Sequence, residues 1–202
     1  MADLNKKSRI AYNKKADDYN NSREGQFTRN IHLLLLSKMN WEENQSVLDV
    51  ACGTGSLLAA MNRQKVIKGF GIDIADQMIK NAIITNPDME FHVSGCEVIP
   101  FPDDSMDIIT VCAAYHHFPN GTAFASEAGR VLKQGGTLYI ADIFVPSILR
   151  IIINPFVPLL FTDGDVRFYS PDEIIDNFTR FGFLKNRIYI SGSIQIVTLK
   201  KL

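Results

Sequence analysis

The sequence predicts one domain with an α/β fold, in which helices flank a doubly wound, mostly parallel sheet. Short apolar runs of strand type alternate with helix-like segments from residue 46 to residue 145, and this alternation favours parallel βαβ units with right-handed crossovers. Two more strand-like runs, joined by a short link, end the chain. The 202 residues, 46% of them hydrophobic, are enough for a sizeable core.

The elements are predicted in a regular order along the chain. Two N-terminal segments, 6–21 and 26–39, interleave apolar and polar residues as helices do. Five strands are predicted in the runs SVLDVA (46–51), VIKGFGID (66–73), MEFHVS (89–94), MDIITVCAA (106–114) and GTLYIADIFV (136–145). The helices between them are predicted near 55–63, 75–86 and 122–133, and KQGG is interpreted as the stop of the last one.

The C-terminal part departs from the alternation. Ser170 is predicted as the N-cap of a helix, with Pro171 at the first helical position, Glu173 three residues after the cap and Gly182 beyond the end. The runs LKNRIYI and SIQIVTLKK follow, and the intervening SGS indicates a hairpin. The sheet is therefore expected to end on an antiparallel pair.

Charge and cysteine content exclude several classes of function. Lys and Arg number 21 against 22 Asp and Glu, a net charge of −1, which disfavours nucleic acid as the main partner. Cys52, Cys96 and Cys112 are odd in number and far apart, so we expect buried free thiols rather than disulfides or a CxxC site. The polar start MADLNKKSRI lacks the pattern of a secretory signal, and a cytoplasmic location is expected. Oligomeric state is left open.

The stretch VLDVACGTGSLLAA, residues 47–60, predicts a ligand-binding turn between a strand and a helix. Gly53 and Gly55 allow a ligand to approach the backbone, but the Lys-Ser/Thr pair of a phosphate-binding Walker loop is missing. Asp73, 18 residues after Gly55, is placed to bind both ribose hydroxyls of an NAD or another adenosine ligand. Asp49 favours a cationic ligand over a pyrophosphate.

Five stretches in this order have a specific spacing: VLDVACGTG, GIDIADQMI, EVIPFPDDSMDII, HHF and GRVLKQGGTLYIADI. Through them the chain resembles the class I S-adenosylmethionine-dependent methyltransferases, and more narrowly the small-molecule branch with the ubiquinone and menaquinone C-methyltransferases. The resemblance covers roughly Tyr12 to Leu199. It implies a Rossmann-like three-layer sandwich with a seven-stranded sheet, S-adenosylmethionine as cofactor, and a small-molecule acceptor. It also implies a methyltransferase domain over 1–202, with cofactor-covering helices in 1–40 and an apolar lid-like insertion in 145–168.

The resemblance implies roles for individual residues. Asp49, Gly53, Thr54 and Gly55 would line the methionine end and the ribose, and Asp73 would bind both ribose hydroxyls. Ala51 and Ala113 are also expected to bind the cofactor. Ile74 and Met78 would pack on the adenine, while Gly95 stands where the family commonly has an Asp, which leaves the Cys96 backbone N–H as the adenine donor. YNKKADDY matches the family's Y-x-x-x-A-x-x-Y helix, so Tyr12 and Tyr19 would close over the cofactor and Arg23 is a further candidate for its carboxylate.

The stretch CAAYHHFPNG follows the fourth strand and should lie at the ligand edge of the sheet. Either His116 or His117, or else Tyr115, is a candidate general base, because an imidazole accepts a proton near neutral pH. The alternative is that HHF caps the strand and packs the loop. The four histidines form no HExxH or similar ligand set, so no metal site is expected.

The segment from Val145 to Phe161 is strongly apolar, but Arg150, Asn154 and three prolines argue against a membrane-spanning helix. We interpret it as a hydrophobic lid over a flat or lipidic acceptor. A protein or membrane-surface contact and ordinary core packing are the alternatives. For the whole chain, the alternatives to a methyltransferase are a non-catalytic S-adenosylmethionine-binding protein and an NAD-dependent oxidoreductase.

Overall fold

The computed structural model describes residues 2–202, with side-chain environments from residue 4 onward. Seven strands form one sheet in the order β3, β2, β1, β4, β5, β7, β6. The first five strands pair in parallel, and β7 lies antiparallel between β5 and β6. The fold class predicted from the sequence, including the C-terminal hairpin, is confirmed.

The strands and helices have the following bounds. The strands are β1 (Ser46–Val50), β2 (Lys68–Asp73), β3 (Glu90–Val93), β4 (Met106–Cys112), β5 (Leu132–Ile143), β6 (Phe183–Ser191) and β7 (Ile194–Lys201). The helices are α1 (Ala2–Lys15), α2 (Arg23–Leu36), α3 (Ser56–Gln64), α4 (Asp76–Thr85), α5 (Gly121–Val131), α6 (Ser147–Ile153), α7 (Val157–Leu160) and α8 (Pro171–Thr179).

The junction between the two N-terminal helices differs from the prediction. Helix α1 ends at Lys15, before the predicted 6–21 segment does, and a single 3₁₀ turn follows at Tyr19–Asn21. Ser22 then caps α2 by accepting a hydrogen bond from the Gly25 N–H. A Cβ on Gly25 would lie 1.9 Å from the Tyr19 carbonyl oxygen. The glycine therefore lets the two elements pack backbone to backbone, which brings Tyr19 close to α2.

The interpretation of KQGG as a helix stop is wrong. Helix α5 ends at Val131, and Leu132 already has extended backbone angles while its N–H still bonds the Ala128 carbonyl. The KQGG residues therefore belong to β5. Gly135 has φ +72°, a conformation that glycine adopts without strain. The pairing of β4 with β5 shifts its register between Met106 and Ile108 beside this stretch.

The C-terminal helix follows its predicted caps. In α8 the Ser170 hydroxyl accepts from the Glu173 N–H, and the Glu173 carboxylate accepts from the Ser170 N–H, which completes a capping box. The sheet separates two buried clusters. One contains Phe124 from α5 and Phe178 from α8, and the other contains Leu35 from α2 and Leu58 from α3. All three cysteines are buried and free, as predicted.

The apolar segment lies outside these clusters. It forms α6, a short 3₁₀ turn and α7, and Val157 is its buried side chain. Exposed large apolar side chains in it are Ile148, Leu149, Ile151, Ile152, Phe156, Leu159, Leu160 and Phe161. Ordinary core packing is therefore wrong as an interpretation of this segment. Within residues 2–202, no helix combines the length and the apolar character needed to cross a bilayer.

Candidate active site

A partly open cavity of about 890 Å³, including its mouth, lies where β1, β2 and β4 end. Carboxyl ends of parallel strands are where α/β sheets bind ligands. Predicted site residues that line it are Tyr12, Tyr19, Asp49, Ala51, Gly53, Thr54, Asp73, Ile74, Met78, Gly95, Cys96, Ala113 and His117. Gly55 and His116 lie outside this lining. Arg23, the further candidate, is exposed and also lies outside it.

The two glycines of the turn between β1 and α3 have different surroundings. Gly53 has φ +53°, and a Cβ there would meet Met78 Sδ at 4.0 Å, an ordinary contact on the cavity side. Gly55 has φ +74°, but its Cβ would lie 2.9 Å from Asn86 Nδ2 and 3.0 Å from Phe91. Gly53 thus keeps the cavity open, whereas Gly55 allows close packing behind the turn.

Asp73 ends β2 with both carboxylate oxygens held by backbone. Oδ2 accepts the Gly53 N–H at 2.9 Å, and Oδ1 accepts the Ala75 N–H at 2.8 Å. Burial raises the pKa of Asp73, and these backbone hydrogen bonds act in the opposite direction. The side chain is fixed against the glycine turn. It retains lone pairs for a polar ligand, because a carboxylate offers about four acceptor positions.

Asp49 lies on β1 at the floor of the cavity and is 2% exposed. The Thr110 hydroxyl of the neighbouring strand donates to its Oδ1 at 2.7 Å. The pKa of Asp49 is raised to about 7, mainly by burial and to a smaller extent by the charge of Asp73, while the Thr110 hydrogen bond acts in the opposite direction. The site therefore contains two close carboxyl groups that a cationic ligand would stabilise in their ionised form.

Two tyrosines cover the cavity from the N-terminal elements. Tyr12 and Tyr19 pack edge to face with ring centroids 6.0 Å apart. The Tyr12 hydroxyl donates to Glu24 at 3.3 Å, and the Tyr19 hydroxyl lies 3.1 Å from Thr28 Oγ1. Burial raises the pKa of Tyr12, so its phenol stays protonated. Helix α1 is also bound to α4, since Asn13 donates to Asp76 and accepts the Gln77 N–H, and this places the tyrosines over Ile74 and Met78.

The two adjacent histidines occupy a 3₁₀ turn directly after β4 and have different surroundings. His116 Nδ1 lies 2.6 Å from Asp142 Oδ1, and its backbone N–H donates to Asp142 Oδ2 at 2.9 Å. His116 Nε2 lies 3.5 Å from Asp165. Burial alone lowers the pKa of His116, but Asp142 and then Asp165 outweigh it and raise the pKa.

His117 lines the cavity and contacts the cover. Its Nε2 lies 2.9 Å from the Tyr12 hydroxyl. Burial and the neighbouring His116 lower the pKa of His117 well below its usual range, and the Gly164 backbone acts in the opposite direction. Tyr115, the third candidate base, is fully buried in the core, where its hydroxyl accepts from Asn177. Of the three predicted candidates, His117 is the one at the cavity.

Sequence reasoning missed three acidic residues of this region. Asp142 is the second-last residue of β5, and the rule that places ligands at the carboxyl ends of strands would have selected it. Asp165 lies in the irregular stretch before α8, and Glu24 lies in the first turn of α2. Neither has a local sequence signal that would connect it to a histidine more than 40 residues away.

Known proteins with a similar sequence are methyltransferases. Residues 48–140 match a family model described as a methyltransferase domain. The demethylmenaquinone methyltransferase of Thermotoga maritima is 30% identical over 161 residues, which is 69% of this chain and 70% of that protein. That of Chlorobaculum parvum is 34% identical over 105 residues, 52% of this chain and 44% of that protein. The chain therefore spans about half the length of several of the curated relatives it matches.

Solved structures with the same fold include two at low sequence identity. A chain from the complex of the Haloferax volcanii Trm112 methyltransferase activator with its methyltransferase has a TM-score of 0.80 and 21% identity, covering 94% of this chain and 96% of that one. The YcgJ protein from Bacillus subtilis has a TM-score of 0.72 and 20% identity, covering 86% and 98%. At these identities the likeness establishes the fold.

Proposed function

The chain belongs to the class I S-adenosylmethionine-dependent methyltransferases, in the group of the ubiquinone and menaquinone C-methyltransferases, and on this premise we propose that it methylates a small apolar acceptor. The observation that carries this proposal is the cavity at the ends of β1, β2 and β4, with two buried carboxyl groups at a glycine turn. A cytoplasmic location stays part of the proposal.

The residues that line the cavity fit S-adenosylmethionine in their chemistry. Asp73 would accept hydrogen bonds from both ribose hydroxyls, and Asp49 would face the positively charged end of the cofactor. Gly53 leaves room for the ligand to approach the protein backbone. A pyrophosphate beside Asp49 and Asp73 would instead meet like charge, which disfavours NAD.

Methyl transfer requires little from the protein except alignment and exclusion of water. Bound S-adenosylmethionine supplies a methyl group already activated on a sulfonium. The chain's own residues would hold the reactants in line, a contribution of about 7–11 kcal/mol in well-oriented reactions. Tyr12 and Tyr19, fixed by their contacts with Glu24 and Thr28, would close the cavity against water.

The acceptor would enter beside His117, at the side of the cavity that faces the apolar segment. Phe168 links the two regions, since its ring lies 5.9 Å from that of His116 and 5.9 Å from that of Phe161, centroid to centroid. Asn154 fixes this geometry, because its side chain donates to the Phe168 carbonyl and accepts the Phe168 N–H. We therefore keep the lid hypothesis for 145–168, with a quinol-like acceptor as the ligand suggested by the curated relatives.

Thermal unfolding with four ligands tests the cofactor, and methyl transfer tests the enzyme. S-adenosylmethionine and S-adenosylhomocysteine should each raise the unfolding midpoint by several degrees, because a ligand at about 100 times its Kd adds ~2.7 kcal/mol. NAD and NADP should leave it unchanged. Radiolabelled methyl should then appear in a short-chain demethylmenaquinol. A shift of the unfolding midpoint with NAD alone would refute the proposal. If the protein binds S-adenosylmethionine but methylates none of the quinols and phenols tried, the conclusion is a non-catalytic cofactor-binding protein.

Polar substitutions in the apolar segment should weaken the binding of the acceptor and leave the binding of the cofactor unchanged. Ile151 and Leu159 are 71% and 81% exposed, so the double variant Ile151→Ser/Leu159→Ser should keep its unfolding midpoint. If their side chains cover the acceptor, its KM should rise about tenfold or more, since burying one such side chain is worth about 1.5–3 kcal/mol. The Kd of S-adenosylhomocysteine should stay within about twofold. Ile84→Ser, on the equally exposed outer face of α4, is the control, and an unchanged KM in the double variant would contradict the lid.

A further inference from the structure

Three potential metal ligands converge at the wall of the cofactor cavity. His116 and His117 come from the turn after β4, and Asp165 comes from the stretch before α8. One ligand atom from each lies within 4.8 Å of the other two. The two segments are joined by backbone, because the Val166 N–H donates to the His116 carbonyl at 2.8 Å. The backbone contact between the Asp165 loop and the histidine turn therefore holds the three side chains together.

His116 is oriented as metal-binding histidines are. Its Nδ1 is held by Asp142 at 2.6 Å, which leaves Nε2 to face Asp165 Oδ1 at 3.5 Å. Such an outer carboxylate fixes the ring and its tautomer in metal sites. Two ligand atoms each about 2.0–2.1 Å from a tetrahedral Zn²⁺ lie ~3.4 Å apart. The observed separation is thus long for a direct hydrogen bond but suits two ligands of one ion.

His117 adds a second imidazole to the cluster. Its Nε2 is engaged by Tyr12, while its Nδ1 is buried and, although the Gly164 backbone is near the ring, makes no hydrogen bond of regular geometry with any described residue. The two imidazole rings lie 4.1 Å apart, centroid to centroid. Buried polar atoms in proteins nearly always have a partner, and an ion is one common explanation where none is visible.

The local charge also favours a cation. Lys15 binds Glu24 at 2.8 Å and Asp163 at 2.7 Å, so its positive charge is already shared between two carboxylates. Among the described residues, Asp142 and Asp165 therefore face only the two imidazoles. Metal binding requires both imidazoles to be neutral, and in that form the two carboxylates give the cluster a charge of about −2, which a divalent ion would balance.

We propose that His116 Nε2, His117 Nδ1 and Asp165 bind one divalent first-row cation such as Zn²⁺. Two imidazoles and one carboxylate suit such ions and leave a coordination position open. An acceptor hydroxyl bound at the open position would have its pKa lowered by the ion, so that its proton passes to solvent water while the methyl group moves to the acceptor and S-adenosylhomocysteine is released. That role in the reaction depends on the proposed function, whereas the binding of the ion does not.

Cobalt titration of the tag-free, chelator-treated protein tests the site. Co²⁺ should bind with a stoichiometry of one and give visible d–d bands that Zn²⁺ abolishes. Asp165→Asn and His117→Gln should each lower the affinity for Co²⁺ by at least about 100-fold. Asp142→Asn should lower it by about 10–100-fold, the usual effect of removing a residue that hydrogen-bonds to a metal ligand. His92→Gln is the matched control, since His92 pairs with Glu90 at 2.6 Å on the surface, and it should bind Co²⁺ normally.

The same preparations separate this proposal from the proposed function. Each variant is also titrated with S-adenosylhomocysteine, and Asp165→Asn should bind it as the unmodified protein does, which shows an intact fold. Absence of saturable Co²⁺ binding, or equal binding by Asp165→Asn, would overturn the metal site and leave His116 as an imidazole held between the Asp142 and Asp165 carboxyl groups. Intense near-ultraviolet bands would indicate cysteine ligands and would also overturn it.

Discussion

Asp73→Ala should weaken the binding of S-adenosylhomocysteine by about 100-fold or more. The Asp73 carboxylate is proposed to accept from both ribose hydroxyls, and it also fixes the glycine turn through the Gly53 N–H. Hydrogen bonds to a charged group contribute about 1.5–3 kcal/mol each, and 1.4 kcal/mol corresponds to a factor of ten. The alanine variant loses the ribose contacts and leaves the Gly53 and Ala75 N–H groups without their acceptor.

Isothermal titration calorimetry with S-adenosylhomocysteine measures this loss directly. Asp73→Asn keeps one acceptor oxygen, so we expect its affinity to lie between those of the alanine variant and the unmodified protein. Asp88→Asn removes an exposed carboxylate in the same half of the sheet and serves as the control. If Asp73→Ala folded cooperatively and still bound within about threefold of the unmodified protein, the ribose role of Asp73 would be wrong.

The sequence identifies residues that line this cavity because their signals are local. Asp49, Gly53 and Asp73 lie at the ends of short apolar strands, and parallel strands bring such ends to one edge of the sheet. The C-terminal helix was equally predictable, since Ser170 and Glu173 form their capping box within one turn. In each case the residues that define the feature are close in sequence or follow a fixed topological rule.

The surroundings of the two histidines were not predictable in this way. His116 meets Asp142 and Asp165 through contacts that span 26 and 49 residues, across a strand end and an irregular loop. No periodicity or cap signal defines the path of that loop. The sequence therefore indicated a histidine pair but neither its different environments nor the carboxylates around it. The misread KQGG stretch has a similar cause, because Leu132 before it and Thr137 after it both pair with β4, so that the strand runs on through a stretch that locally resembles a helix stop.

The glycine pair shows a finer limit of sequence reasoning. Both Gly53 and Gly55 have positive φ, and both match the pattern of a ligand-binding turn. The structure separates them by what a side chain would meet: open cavity at Gly53, and Asn86 and Phe91 at Gly55. The sequence pattern thus identifies the turn. Which glycine faces the cavity and which packs inside the protein depends on the neighbouring helix and strand.

Affinity for S-adenosylmethionine should rise about tenfold between pH 6 and pH 8 because of Asp49. Burial raises the pKa of Asp49 to about 7, so near neutral pH the free protein is a mixture of protonated and ionised forms. A sulfonium or ammonium group favours the carboxylate, and binding must then release the proton at low pH. Below the pKa each unit of pH costs up to about tenfold in affinity, and above about pH 8 the dependence should vanish.

Asp49→Asn separates this effect from other titrations, because it removes the ionisable group and keeps the Thr110 hydroxyl as a neighbour. Its affinity should be low and nearly independent of pH over the same range. A carboxyl whose pKa is raised on folding destabilises the folded state as the pH rises from its unfolded value of about 3.9 toward 7. The asparagine variant without ligand should therefore be the more stable protein at pH 8, measured by urea unfolding. A variant that bound weakly but kept the full pH dependence would assign the titration to another group, and a weak binder that was also less stable would indicate a packing role for Asp49.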